Sequence, residues 1–260
     1  MTALLEVERL TKNFGGLSVV SDVTFSVAKG DRLALIGPNG AGKTTMFNLL
    51  SGVYEPTEGA IRLAGRDISR APSKNRIGMG MARTFQNIRL MPHLSTVENV
   101  MLGQQSRASS WADYVRPLGR SSWRREAEEL LHELGLETYR GEVVATLPYG
   151  IRKKIEVVRA LAAHPELLLL DEPAAGLNQT ETESLREFLM GVSQRGVTLL
   201  VVEHDMGFVR SLCDRAIVLN FGRQIYEGPT RSVHEDPLVL EAYLGPGHAA
   251  QPKTPVAGNL

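Results

Sequence analysis

Nine consecutive residues, Gly37-Pro-Asn-Gly-Ala-Gly-Lys43-Thr44-Thr45, constrain this chain more than any other feature in it. They fit the pattern G-x-x-x-x-G-K-[ST], in which successive backbone N–H groups cradle phosphate oxygens. The preceding run, Arg32–Ile36 (RLALI), reads as an apolar strand, and the following TTMFNLLSGV carries a helical pattern. Strand, glycine-rich turn and helix open a βαβ unit. Gly40 and Gly42 let the backbone curl, while Gly37, Pro38, Asn39 and Ala41 complete the loop. The helix start adds its positive dipole end. Lys43 is expected to reach the β- and γ-phosphates, and Thr44, followed by Thr45, to offer a hydroxyl to Mg²⁺. These residues specify a nucleoside triphosphate site.

Two further strand ends carry polar groups suited to that site. Leu167–Leu170 is an apolar strand delivering Asp171 and Glu172 at its carboxyl end, the edge where open α/β sheets bind ligands. Asp171 is expected to hold Mg²⁺ through water, and Glu172 to orient or deprotonate the attacking water. Val201-Val202-Glu203-His204 is a second such strand, with His204 placed to contact the γ-phosphate.

The alternation in Leu4–Leu10 and Val23–Val27 predicts antiparallel strands exposed on one face. Ala60–Leu63 and Met81–Phe85 read as further strands, and the runs at 167–170, 197–202 and 216–219 as buried parallel strands. Between Thr96 and Leu136 helical signals dominate (TVENVMLGQQ, then SSWRREAEELLHELG). The expected fold is α/β, with a mostly parallel sheet, an N-terminal antiparallel β subdomain and an inserted α-helical subdomain. One domain is expected over residues 4–245, with its core in 4–86 and 161–245 and the helical insertion in 87–160. Residues 246–260, rich in Gly, Pro and Ala, are expected to be a disordered tail.

Composition narrows the setting. With 260 residues, 43% hydrophobic and 22% charged, the chain can bury a core without staples, and its one cysteine, Cys213, fits a reducing compartment. The 29 basic and 29 acidic side chains cancel, so net charge calls for neither nucleic acid nor an acidic membrane. No apolar run approaches the roughly 20 residues of a membrane helix, and no secretory signal is read at the N-terminus. Locally, Gln104–Arg125 holds both tryptophans, Trp111 and Trp123, and five Arg against one Asp. That segment reads either as a solvated excursion or as a contact with a transport partner or lipid headgroups.

In order along the chain, GPNGAGKTT, Gln86 in RTFQN, LPYGI at 147–151, LLLLDEP, AGLN at 175–178 and EHD at 203–205 resemble the ATP-binding subunits of ABC transporters. RTFQNIRL, LDEPAAGLN, VEHDM and the ending LEAYLG resemble, more narrowly, the ATPase subunit of branched-chain amino acid importers. The resemblance implies a P-loop NTPase core of the ABC cassette type that hydrolyses ATP with Mg²⁺ as a head-to-tail dimer. Phe14 is then the aromatic that stacks on adenine, where residue pattern alone also allows a core Phe on a β-hairpin. Gln86 becomes a sensor of Mg²⁺ and the attacking water, and 87–100 the stretch meeting a membrane partner's cytoplasmic helix. The implied partners are a second ATPase subunit, identical or not, two membrane-spanning permease subunits and, indirectly, a substrate-binding protein; no nucleic acid is implied. The implied location is cytoplasmic, peripheral on the inner face of the plasma membrane.

The chain departs from the family at the loop that grips the partner's γ-phosphate. Where relatives carry Leu-Ser-Gly-Gly-Gln, this chain has Leu147, Pro148, Tyr149, Gly150 and Ile151. Pro suits a first helical turn, yet Pro148 offers neither hydroxyl nor N–H, so the trans contact through Pro148, Tyr149 and Gly150 is expected to be weaker. Asn178 replaces an Asp common in relatives at the dimer interface. Related ATPases drive urea or short-amide import or lipopolysaccharide export, so the cargo stays open within the family. A nucleic-acid-acting ABC ATPase lacks support from charge or coiled coil, and a non-hydrolysing module is opposed by the intact Glu172 and His204.

Overall fold

The apolar runs pair side by side as strands. The computed structural model describes residues 3–107 and 117–245. Its strands are β1 (Ala3–Phe14), β2 (Leu17–Ala28), β3 (Arg32–Ile36), β4 (Glu58–Leu63), β5 (Arg66–Asp67), β6 (Met81–Arg83), β7 (Leu167–Asp171), β8 (Thr198–Val202), β9 (Arg215–Asn220) and β10 (Arg223–Pro229). The α-helices are α1 (Lys43–Leu50), α2 (Ser73–Gly78), α3 (Thr96–Gln104), α4 (Pro117–Glu133), α5 (Tyr149–Leu161), α6 (Gln179–Gln194), α7 (Met206–Leu212) and α8 (Pro237–Leu244).

Six strands form a sheet in the order β10-β9-β3-β8-β7-β6, parallel throughout except for β10. Leu33, Leu35, Leu167, Leu169 and Leu200 face a core shared with α1 and the antiparallel sheet. Their neighbours Ala34, Ile36, Leu168, Leu170 and Leu199 face the opposite core, shared with α6 and α7. Burial on both faces is why these strands read as unbroken apolar runs.

The second sheet, β2-β1-β4-β5, is antiparallel, as the alternation predicted, but β1 and β2 run longer than the alternating stretches. The alternation breaks at Arg9 and Asp22, which take φ of 45° and 52°. Those irregularities carry Leu10 and Val23, cross-strand partners, both into the core. The strand expected at Met81–Phe85 stops at Arg83: Thr84 N still donates to Leu169 O (2.9 Å), but the Phe85 N–H turns to the Glu156 carboxylate.

Helices α3, α4 and α5 enclose a third apolar cluster containing Val97, Val100, Leu131, Ile155 and Val158. Ser95 and Glu98 form a capping box at the start of α3. In the Arg/Trp-rich stretch, Gln104 Nε2 donates to the Trp123 carbonyl at 3.0 Å. Trp111 lies outside the described residues, as does the tail at 246–260. Among the described residues no helix is long and apolar enough to cross a membrane.

Candidate nucleotide site

Neighbouring parallel strands bring their carboxyl ends to one edge, here in the order β3, β8, β7, β6. That edge therefore presents the Gly37–Gly42 loop, then Glu203-His204, then Asp171-Glu172, then Arg83 and the loop to Gln86. Residues far apart in sequence become neighbours through topology alone.

The loop needs two of its glycines for room. A Cβ on Gly37 would stand 2.2 Å from the Leu219 carbonyl oxygen. One on Gly42, where φ is 100°, would stand 2.8 Å from the Val19 carbonyl oxygen. The Ala41 carbonyl accepts from Gly222 N at 3.0 Å, tying the loop to the β9–β10 turn. Gly42 caps α1 without a side-chain bond, so no side chain competes for the first-turn N–H groups. The Lys43 ammonium donates to the Gly37 and Pro38 carbonyls at 2.7 and 3.0 Å. Burial lowers its pKa, while the nearby Glu172 carboxylate works in the opposite direction. Thr44 is exposed and Thr45 half-buried. At the other end of α1, the buried Arg76 donates to the Leu49 and Leu50 carbonyls, and burial brings its pKa down to about 10.

Glu172 is half-buried and has a φ of 45°, unusual for a residue with a Cβ and typical of strain held at functional sites. Its Oε2 accepts from Gln86 Nε2 at 2.6 Å. Asp171 is 9% exposed and its Oδ2 accepts from Arg83 Nη2 at 2.6 Å. Sequence pattern assigns no role to Arg83, nor to Glu203, which is 1% exposed. Glu203 accepts from Ala174 N at 2.8 Å and His204 N at 3.1 Å, joining the loop after β7 to the end of β8; burial raises its pKa. The His204 ring itself is 65% exposed, with Nδ1 3.7 Å from Glu203 Oε2.

A second unforeseen set comes from α5. Lys153, Glu156 and Arg159 recur every three residues and grip the backbone around Gln86. Lys153 Nζ donates to the Gln86 carbonyl at 2.8 Å, Glu156 Oε1 accepts from Arg89 N at 3.1 Å, and Arg159 donates to the Arg89 carbonyl at 2.5 Å. Burial lowers the Lys153 pKa and raises that of Glu156. The only hint in the sequence was charge on the apolar helix IRKKIEVVRAL, and periodicity does not say what a charge meets.

The remaining expected residues form two separate groups. Phe14 is 42% exposed at the β1–β2 hairpin, so it is not the core Phe that residue pattern alone allows. Tyr54 lies edge-on to it at 5.2 Å, and Lys12 Nζ sits over both rings at 5.0 and 5.9 Å. Pro148 caps α5 without a side-chain bond, so helix geometry survives the departure from Ser. Tyr149 packs against Gly176, Gly150 is filled by the Glu181 side chain, and Asn178 caps α6 in a capping box with Glu181. Pro148, Tyr149, Gly150 and Asn178 thus come together at the facing starts of α5 and α6.

Oxygen donors dominate the edge: the Thr44 hydroxyl, the Asp171 carboxylate and the Gln86 amide, a set that suits a hard cation completed by phosphate and water. A phosphate loop, an acid pair at the next-but-one strand end and a mostly parallel sheet define a P-loop nucleoside triphosphatase.

Comparison with known proteins places it further. The ABC transporter family pattern matches residues 20–175. The chain is 39% identical over 249 residues to the high-affinity branched-chain amino acid transport ATP-binding protein BraF of Pseudomonas aeruginosa, covering 93% of this chain and 98% of that protein. It is 33% identical to the lipopolysaccharide export system ATP-binding protein LptB of Acidithiobacillus ferridurans, covering 94% and 98%. The crystal structure of the ADP conformation of an ABC transporter's ATP-binding cassette superposes with a TM-score of 0.83 at 28% identity, covering 94% of this chain and all of that one. The chain belongs to the ATP-binding subunits of ABC transporters: it binds nucleotide and is an ATP hydrolase coupled to transport.

Proposed function

We propose that this chain powers uptake of branched-chain amino acids, hydrolysing ATP as one half of a head-to-tail dimer. The observation that carries the hydrolytic assignment is the Glu172–Gln86 contact of 2.6 Å at the strand edge beside the phosphate loop. Glu172 orients or deprotonates the attacking water, Gln86 holds that water and reports on it, and His204 contacts the γ-phosphate. Phe14 stacks on adenine, and the loop from Gly37 to Thr45 cradles the phosphates with Lys43. Thr44, Asp171 and Gln86 are the residues that would hold Mg²⁺, which when bound neutralises phosphate charge.

Across the dimer, Pro148, Tyr149, Gly150 and Asn178 face the partner's nucleotide. The first-turn N–H groups of α5 carry no side-chain cap, which leaves donors for that contact despite Pro148. ATP completes the interface, and loss of the γ-phosphate reopens it. The grip of Lys153, Glu156 and Arg159 on residues 85–89 passes that change from the site into α5, within a helical unit spanning 87–160 of a single 4–245 domain. The partners are a second ATPase subunit, two permease subunits and, through them, a substrate-binding protein, with this chain peripheral on the cytoplasmic membrane face.

The branched-chain cargo rests on the higher identity to BraF than to LptB, each over nearly the full length of both chains. Purified chain should release phosphate from ATP. Reconstituted with its membrane subunits, it should drive ATP-dependent leucine uptake into vesicles; phosphate release with urea uptake and no leucine uptake would sink the cargo assignment and leave the motor intact.

A further inference from the structure

Arg83 ends β6 three residues before Gln86, and the parallel register sets it opposite Leu169, two residues before Asp171. Its guanidinium touches four parts of the site at once. Nη2 donates to Asp171 Oδ2 at 2.6 Å, and the two side chains are only 11% and 12% exposed. Nη1 donates to Asn48 Oδ1 and to Ser51 Oγ, each at 2.8 Å, which reaches α1 and the residue just after it. The rings of Phe47 and Phe85 flank the cation at 5.5 and 5.4 Å. Its Nε is buried with no hydrogen-bond partner.

A guanidinium so placed is a fixed charge. Two aromatic rings and three acceptors hold its plane, so it cannot swing into solvent when another cation approaches. Without it Asp171 would have no cation in direct contact, in a poorly solvated pocket at the phosphate-binding edge beside Glu172, where a free divalent cation would be drawn to it. We propose that Arg83 is the resident counter-cation of Asp171 and withholds that carboxylate from free divalent metal, so that metal enters only together with a polyphosphate that supplies its own negative charge. Asp171 Oδ1 stays available, because the ion pair uses Oδ2. Arg83 is thus a positioning residue: it sets when Asp171 can take metal, and it links that event to Phe85 and the Gln86 loop. The inference rests on the assignment of Asp171 to Mg²⁺ made above.

The test titrates Mn²⁺ alone into the nucleotide-free full chain, read by electron paramagnetic resonance. Arg83→Gln should bind free Mn²⁺ about tenfold more tightly than the unaltered chain, a size usual for coupling between neighbouring sites. Adding Asp171→Asn to that variant should restore the original weak binding. Arg83→Lys keeps a charge but loses the fork, so it should tighten binding to an intermediate degree; it serves as the readout if the Gln variant has no cooperative melt. Free Mn²⁺ affinity unchanged in the folded Arg83 variants would overturn the proposal. Asp171→Asn alone tests the underlying assignment separately: if it leaves Mn²⁺ binding in the presence of a non-hydrolysable ATP analogue unchanged, Asp171 is not the metal carboxylate.

Discussion

Two helix starts in this chain invite comparison: that of α1, after the phosphate loop, and that of α5, after Leu147-Pro148. Neither has a side-chain cap, nor does the short α2 after Pro72, whereas α3, α6, α7 and α8 are capped by Ser95, Asn178, Asp205 and Asp236. An uncapped start keeps its N–H donors and positive dipole end for an anion. The two starts differ in how rigidly they are held. The first is pressed against Leu219, Val19 and Gly222 by backbone contacts that no side chain fits between. The second is held by side chains, Tyr149 on Gly176 and Glu181 over Gly150, which can shift. A backbone cradle suits a nucleotide bound within one chain; a side-chain-supported loop suits a contact made and broken with a partner.

Changes to the cis half should have the larger effects. Glu172→Gln should retain ATP binding and lose about a hundredfold or more in phosphate release, the range for removing a general base. Lys43→Ala should weaken ATP binding by ~10- to 100-fold in a direct titration, the scale of a charge-assisted hydrogen bond. Lys153→Met probes the link between the halves. It should lower turnover about tenfold while leaving the ATP dissociation constant of the isolated chain near its original value, because it displaces Gln86 without touching the phosphate loop. Unchanged turnover would break the link.

The trans half should respond more gently. Pro148→Ser adds a hydroxyl and an N–H at the start of α5, so phosphate release or ATP-driven dimerisation should rise about two- to tenfold, the worth of one hydrogen bond. No change in either would mean the loop already donates enough from Tyr149 onward. Asn178→Ala, last in size, should cost about 1 kcal/mol in chemical denaturation through loss of its cap.

Much of the cis half was legible because its signals are local. The phosphate loop is a single stretch whose glycines answer to steric demands at each position, and β7 to β9 announce themselves by burial on both faces. Periodicity also located α3, α4 and α5. Irregular pairing at Arg9 and Asp22 interrupts the alternation within β1 and β2, and the strand expected to reach Phe85 stops at Arg83, because the Phe85 N–H leaves the sheet for a helix carboxylate.

What the sequence determined by itself was the class of chemistry, through residues that act within a few positions of each other: loop, acid pair, strand and helix. Only the tertiary structure decided that Arg83 pairs with Asp171, that Lys153, Glu156 and Arg159 hold the Gln86 loop, and that Glu203 joins two strand ends. Each of those side chains finds its partner on another element, 29 to 88 residues away. A charged residue in a sequence reads as a solvated face until the fold buries it; once buried it must be paired, and the pairing partner is set by strand order and helix packing, which local pattern does not encode.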